Sequence, residues 1–222
     1  MVLALVTGLW SSGATGAGLR AVPKSVDFGY MPEGVKVHGH YWLVNDGVDT
    51  IHIDLIKPQC GCTTAPLTED RIAPGDSINL EFSFNSANMH GWVHKLINIH
   101  YDDTAASPAK VYFSANVDEE YGAVKPSPVA VRFDDFDKTK EDIVLENTSA
   151  DSFAVSLLSV PPPYLSYAFD RDTIPPGGRA ILTLQVTDSV PLGLYQTSMT
   201  LYLDGRVPER ISIPIGGTGY VR

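Results

Sequence analysis

Basic residues are scarce in this chain. Of its 222 residues, 16 are Lys or Arg against 26 Asp or Glu, a formal net charge of -10. The cations are scattered singly, so no basic patch exists to hold a phosphate backbone, and nucleic acid is excluded as a partner. Cysteine is scarcer still: there are two, too few for a framework of disulfides. No apolar run reaches the roughly 20 residues of a membrane-crossing helix, so no transmembrane span is expected. Helical periodicity is not sustained over about a dozen residues anywhere. The P-loop, Gly-x-Ser-x-Gly, His-Glu-x-x-His and EF-hand patterns are all missing, and the expectation is a protein that is not an enzyme. A hydrophobic share of 44% nevertheless excludes disorder.

What is present is turn chemistry and a period of two. Gly 19 and Pro 16 suit a turn-rich fold. Ser77–Phe84 alternates strictly, setting Ile78, Leu80, Phe82 and Phe84 on one strand face. Thr197–Leu203 and Arg210–Ile215 alternate in the same way. Short strands separated by Gly, Pro, Asn and Asp indicate antiparallel β-sandwiches.

The chain also repeats itself. Ile72-Ala73-Pro74-Gly75 and Ile174-Pro175-Pro176-Gly177 lie 102 residues apart, as do Asn45 and Asn147, and Gly91 and Gly193. Val26-Asp27-Phe28 corresponds more loosely to Val131-Arg132-Phe133. A period of about 100 residues is the size of one immunoglobulin-like sandwich. The expected fold class is therefore all-β, with two tandem immunoglobulin-like β-sandwich domains. The divisions are a signal-like leader over 1–19, a first domain over 20–118 and a second over 119–222. The joint is placed at Asp118–Pro128, where charge, Gly and Pro gather as in a short linker.

The leader has an apolar run, Val2–Trp10, followed by small residues to Gly18. That is the pattern of a secretory signal peptide cleaved near Ala14–Ala17, although no Lys or Arg precedes the run. It predicts an exported protein of the periplasm or cell surface. Thr7-Gly8 with Gly13, Gly16 and Gly18 imitates a dinucleotide-binding turn, but no strand precedes it and strands, not a helix, follow.

Chemistry is confined to the first unit. All six histidines lie there, as does Cys60-Gly61-Cys62, which the offset aligns with Pro162-Pro163-Tyr164 in the second unit. Four roles are open to the cysteines. They can be small apolar residues ending the Ile51–Lys57 strand. They can form a local disulfide, which needs the backbone bend that Gly61 permits. They can ligate copper or zinc as a pair of thiolates. They can take part in redox exchange. As a staple the disulfide is weak: a three-residue closure contributes about 1.6 kcal/mol, against roughly 3 for a 15-residue loop. His38 and His40 flank Gly39 and share one strand face, opposite Val37 and Tyr41. They are the candidate imidazole ligands of a metal site with Cys60 and Cys62, though polar residues on a solvated strand face are far commoner. Asp134-Asp135-Phe136-Asp137 reads first as a solvated acidic turn, and Asn147-Thr148-Ser149 fits an N-glycosylation acceptor by pattern alone.

The run Pro58-Gln59-Cys60-Gly61-Cys62-Thr63-Thr64, preceded by Val26-Asp27-Phe28-Gly29 and Val44-Asn45-Asp46-Gly47 and followed by Pro74-Gly75, resembles a known family. It is a mostly bacterial, exported domain-of-unknown-function family with a Cys-Gly-Cys-Thr signature, and the resemblance covers about residues 24–117. It implies an immunoglobulin-like sandwich related to major-sperm-protein and cilium-associated modules, which bind other proteins and do not catalyse. The second half keeps Asn147 and Pro176-Gly177 but departs from that pattern at the cysteines.

The function expected is that of an exported, non-catalytic structural or protein-interaction module of the cell envelope, with a protein partner and no resident cofactor. The alternative is periplasmic copper or zinc binding through Cys60 and Cys62. A pilus-type periplasmic chaperone, also built of two such domains, is the third reading and rests on architecture alone.

Overall fold

The computed structural model describes residues 18–102, 107–135, 137–187 and 189–220, and the leader run Val2–Trp10 and its Ala14–Ala17 tail lie outside them. The described residues form eighteen strands and no helix. The first nine are β1 (Leu19–Val22), β2 (Ser25–Met31), β3 (Lys36–Asn45), β4 (Ile51–Pro58), β5 (Thr63–Thr64), β6 (Arg71–Ile72), β7 (Ser77–Asn85), β8 (Gly91–Tyr101) and β9 (Ala109–Val117). The second nine are β10 (Val124–Ser127), β11 (Val131–Phe133), β12 (Lys140–Asn147), β13 (Phe153–Leu157), β14 (Leu165–Phe169), β15 (Thr173–Ile174), β16 (Arg179–Val186), β17 (Gly193–Asp204) and β18 (Glu209–Gly219).

The two sets build the same sandwich. One sheet runs β1-β3-β7-β5 in the first and β10-β12-β16-β14 in the second. The facing sheets, β2-β9-β8-β4-β6 and β11-β18-β17-β13-β15, follow the same plan. Each encloses its own core: Phe28 to Val117 supply one cluster and Val124 to Ile215 the other, with no residue shared. Alternation explains both clusters, because every second residue of β7 and β16 is buried. The expected pair of immunoglobulin-like sandwiches is the fold observed.

Inside the first core, the Tyr41 and Phe82 rings stack 5.2 Å apart, and Phe82 lies 5.0 Å from Phe113. Gly39 makes room for this stack, since a Cβ there would stand 2.7 Å from Phe82. Its missing side chain is why the inward position between His38 and His40 is a glycine. The Tyr41 hydroxyl crosses to the other sheet and donates to the Tyr112 carbonyl at 2.5 Å, while burial raises its pKa.

The joint is shorter than composition predicts. Val124–Ser127 forms an edge strand paired with β12, so the connector is Asp118–Ala123 and Pro126 belongs to the second sandwich. Proline is tolerated in an edge strand because one flank needs no N–H.

The sandwiches are joined edge to edge. Strands β18 and β2 meet in parallel at one pair, Ile211 and Tyr30, beyond the three residues of β18 that pair with β11. Gly29 has φ +62°, and a Cβ on it would stand 2.0 Å from the Arg210 carbonyl oxygen. Only glycine allows that approach. Around it, the Ser212 hydroxyl donates to the Phe28 carbonyl at 2.7 Å, Arg210 meets Asp27 at 3.2 Å, and the Ala123 N–H donates to Glu209 at 2.8 Å.

Candidate functional site

Where the sandwiches meet, they leave a cleft of about 650 Å³. Its floor is the outer face of β3 and β7. Because strand residues alternate, Lys36, His38, His40 and Trp42 all project to that face while Val37, Tyr41 and Leu43 point into the core. The antiparallel register sets His38 beside Ser83, His40 beside Glu81 and Trp42 beside Asn79. The far wall comes from the second sandwich: Ser159–Pro163, between β13 and β14, and Thr197 and Ser198 of β17. At the other rim stand Thr64 and Pro66.

The floor is polar with an aromatic end. Asn79 donates to Glu81 at 3.3 Å, and the His40 and Trp42 rings meet edge to face at 6.4 Å. Trp42 is 45% exposed, and Val160 on the opposite wall is 80% exposed. The His38 N–H donates to the Ser198 hydroxyl across the domain boundary at 2.9 Å. Its ring is half-buried, and Nδ1 has no hydrogen-bond partner among the described residues. Burial lowers the His38 pKa, nearby Lys36 lowers it further, and Glu81 opposes them. His38 Nδ1 is thus a buried polar atom left without a partner beneath the cleft floor.

Strand β7 adds an open edge. Strand β5 pairs only with Phe84 and Ser83. Along Ser77–Phe82, β7 has β3 on one side and no paired strand on the other among the described residues.

The candidate ligands are not gathered. His38 and His40 share the cleft floor, whereas Cys60 and Cys62 sit outside it in the β4–β5 loop, joined as a disulfide with Cα atoms 5.2 Å apart. Sulfurs so joined are not thiolates, and the four residues make no common shell. The ligand-type groups that do converge among the described residues are Glu33, His90 and Asp118, all exposed. Of the acidic run that begins at Asp134, Asp134 is taken up by Arg132, whose Nη2 donates to it at 2.8 Å. Asn147 is buried, with its amide donating to the Asp151 and Pro175 carbonyls, so its acceptor pattern is a feature of the fold.

Sequence reasoning misses Ser198, Thr200 and Ser212. They lie on the outward faces of β17 and β18 and are buried because the first sandwich covers them. Thr200 and Ser212 bond to each other at 2.8 Å. Alternation marks such residues as solvent-facing, and no signal in their own strand distinguishes them.

Residues 19–117 match a family described as protein of unknown function (DUF1573). That match covers the first sandwich, and the second lies outside it. No curated protein matches the chain. Solved structures with a similar fold include a protein of unknown function from Porphyromonas gingivalis W83, at 16% identity and TM-score 0.34, covering 89% of this chain and 98% of that one. The ASH / PapD-like domain 7 of human CEP192 is 13% identical with TM-score 0.37, over 55% of this chain and 98% of its own. The E. coli chaperone DraB is 9% identical with TM-score 0.37, over 89% and 98%. Likeness at this level concerns the general class of fold. No helix among the described residues is long and apolar enough to cross a membrane.

Proposed function

We infer that this protein is a non-catalytic interaction module of the cell envelope, whose interdomain cleft receives an extended segment of a partner protein. The observation that carries this reading is the juxtaposition of the open β7 edge with a cleft lined by Trp42 and the Val160–Pro163 wall. A sheet edge offers main-chain hydrogen bonds to any extended chain, and flanking side chains select among them. Trp42 supplies rigid contact area at little entropic cost, while His38, His40 and Glu81 supply polar discrimination. The apolar leader supports export.

The test is selection of peptides from a random displayed library on the folded protein. Binding that weakens about tenfold or more in Trp42→Ala and Glu81→Arg, a loss of about 1.4 kcal/mol, supports the reading. Peptides that bind wild type and both variants equally well defeat it.

A further inference from the structure

The loop carrying the cysteines has a counterpart 102 residues on that shows what it needs in order to form. In the first sandwich the Thr63 N–H donates to the Cys60 carbonyl at 3.3 Å. In the second, the Leu165 N–H donates to the Pro162 carbonyl at 2.9 Å, the same bond at the same place in the repeat. Pro162, Pro163 and Tyr164 make that turn with no cross-link. The first loop is also held at both ends by backbone, with the Gln59 N–H on the Leu96 carbonyl at 3.0 Å and the Asn85 N–H on the Cys62 carbonyl at 2.8 Å. A disulfide between residues two apart closes too small a loop to restrict the unfolded chain much. Folding therefore gains only a little from it.

Its surroundings suit exchange with an outside thiol. Both cysteines are partly exposed, Gly61 is exposed, and nothing lies within 4 Å of where a Cβ on it would stand. Cys62 packs against the first core, which leaves Cys60 as the sulfur an incoming group meets. The Thr63 hydroxyl lies 3.7 Å from both sulfurs. Neither sulfur of a disulfide carries a hydrogen, so the hydroxyl is the donor. A donor so placed stabilises a departing thiolate, because hydrogen bonding to the charged form favours it.

We propose that Cys60–Cys62 is a thiol–disulfide exchange site whose substrate is a dithiol. One thiolate of the substrate attacks Cys60 Sγ, and the Cys60–Cys62 bond breaks as the mixed disulfide forms. Cys62 Sγ leaves with the bonding pair beside the Thr63 hydroxyl and takes a proton from water. The second thiol loses its proton to water and attacks its own partner sulfur, releasing the Cys60 thiolate, which is protonated. Two electrons and two protons pass from the dithiol to the protein, and the substrate keeps a disulfide.

The full oxidised chain is incubated with either of two probes, dithiothreitol or a reduced, unfolded polypeptide carrying two cysteines, and both products are trapped by alkylation and weighed. The expected result is stoichiometric oxidation of the polypeptide, several-fold slower with Thr63→Val, and a Cys60→Ser/Cys62→Ser variant that melts within about 4 °C of wild type. Reaction with dithiothreitol alone overturns the site, because that reductant opens any accessible disulfide. Reaction with neither probe overturns the site. A double variant that melts far below wild type overturns it equally, by making the bond a structural one. Equal rates for wild type and Thr63→Val overturn the part given to the hydroxyl.

Discussion

Asn45 and Asn147 hold the same loop in the two sandwiches. The Asn45 amide donates to the Asp49 carbonyl at 2.8 Å and the Ile72 carbonyl at 2.9 Å, while its oxygen accepts from the Gly47 N–H. The Asn147 amide reaches the Asp151, Pro175 and Ile174 carbonyls at 2.7, 2.9 and 3.4 Å, and its oxygen accepts from the Ser149 N–H. Each side chain is buried, Asn45 tying three backbone groups together and Asn147 four. Replacing either by Ala leaves buried carbonyls unsatisfied, and a loss of about 2 kcal/mol is expected for each. Urea denaturation of Asn45→Ala and Asn147→Ala measures it, and a loss well below 1 kcal/mol in both contradicts the assignment.

Gly29→Ala acts on the junction. Its Cβ would meet the Arg210 backbone, and φ is positive there, so neither side can give cheaply. The two sandwiches should part while each keeps its core. Small-angle scattering reads this as a larger radius of gyration, and an unchanged radius shows the junction to be tolerant.

Gly39→Ala tests the inside of the same domain. The added methyl would stand 2.7 Å from the Phe82 ring and 3.1 Å from the Phe28 ring, both buried in the core. Overpacking of this kind costs about 1–3 kcal/mol. Thermal denaturation measures it, and a neutral result means the aromatic stack has slack.

Stability should fall with acid, in part through His38. Its folded pKa lies below the ordinary 6.5, chiefly because burial disfavours the charged ring. The unfolded chain therefore takes up the proton first. The contribution is intact above pH 6.5, declines as pH falls below it, and stops changing once pH passes the lower folded value. Unfolding free energies at pH 7.5 and pH 5.0 should differ less for His38→Gln than for wild type, and equal differences contradict the assignment.

The sandwiches were legible because alternation is a local signal and the 102-residue offset compares one stretch of sequence directly with another. Ile78, Leu80, Phe82 and Phe84 point inward for the same reason that Leu182 and Leu184 do. The sharing of one face by His38 and His40 could be read from their spacing. The cleft was not legible, since its wall at Ser159–Pro163 comes from a loop of another domain and no spacing reports that approach. The junction was hidden too: Ser198, Thr200 and Ser212 look like ordinary outward residues until a second surface covers them. Pro126 read as linker because its edge position depends on β12, a partner outside its own segment.

Ser198 belongs to two structures at once. It lines the cleft and also accepts the His38 N–H across the boundary. Spreading the sandwiches would stretch that bond and widen the groove in a single movement. The size of whatever lies in the groove and the angle between the domains are therefore one variable, and an occupant too thick for the groove as it stands would register as a bend of the whole molecule.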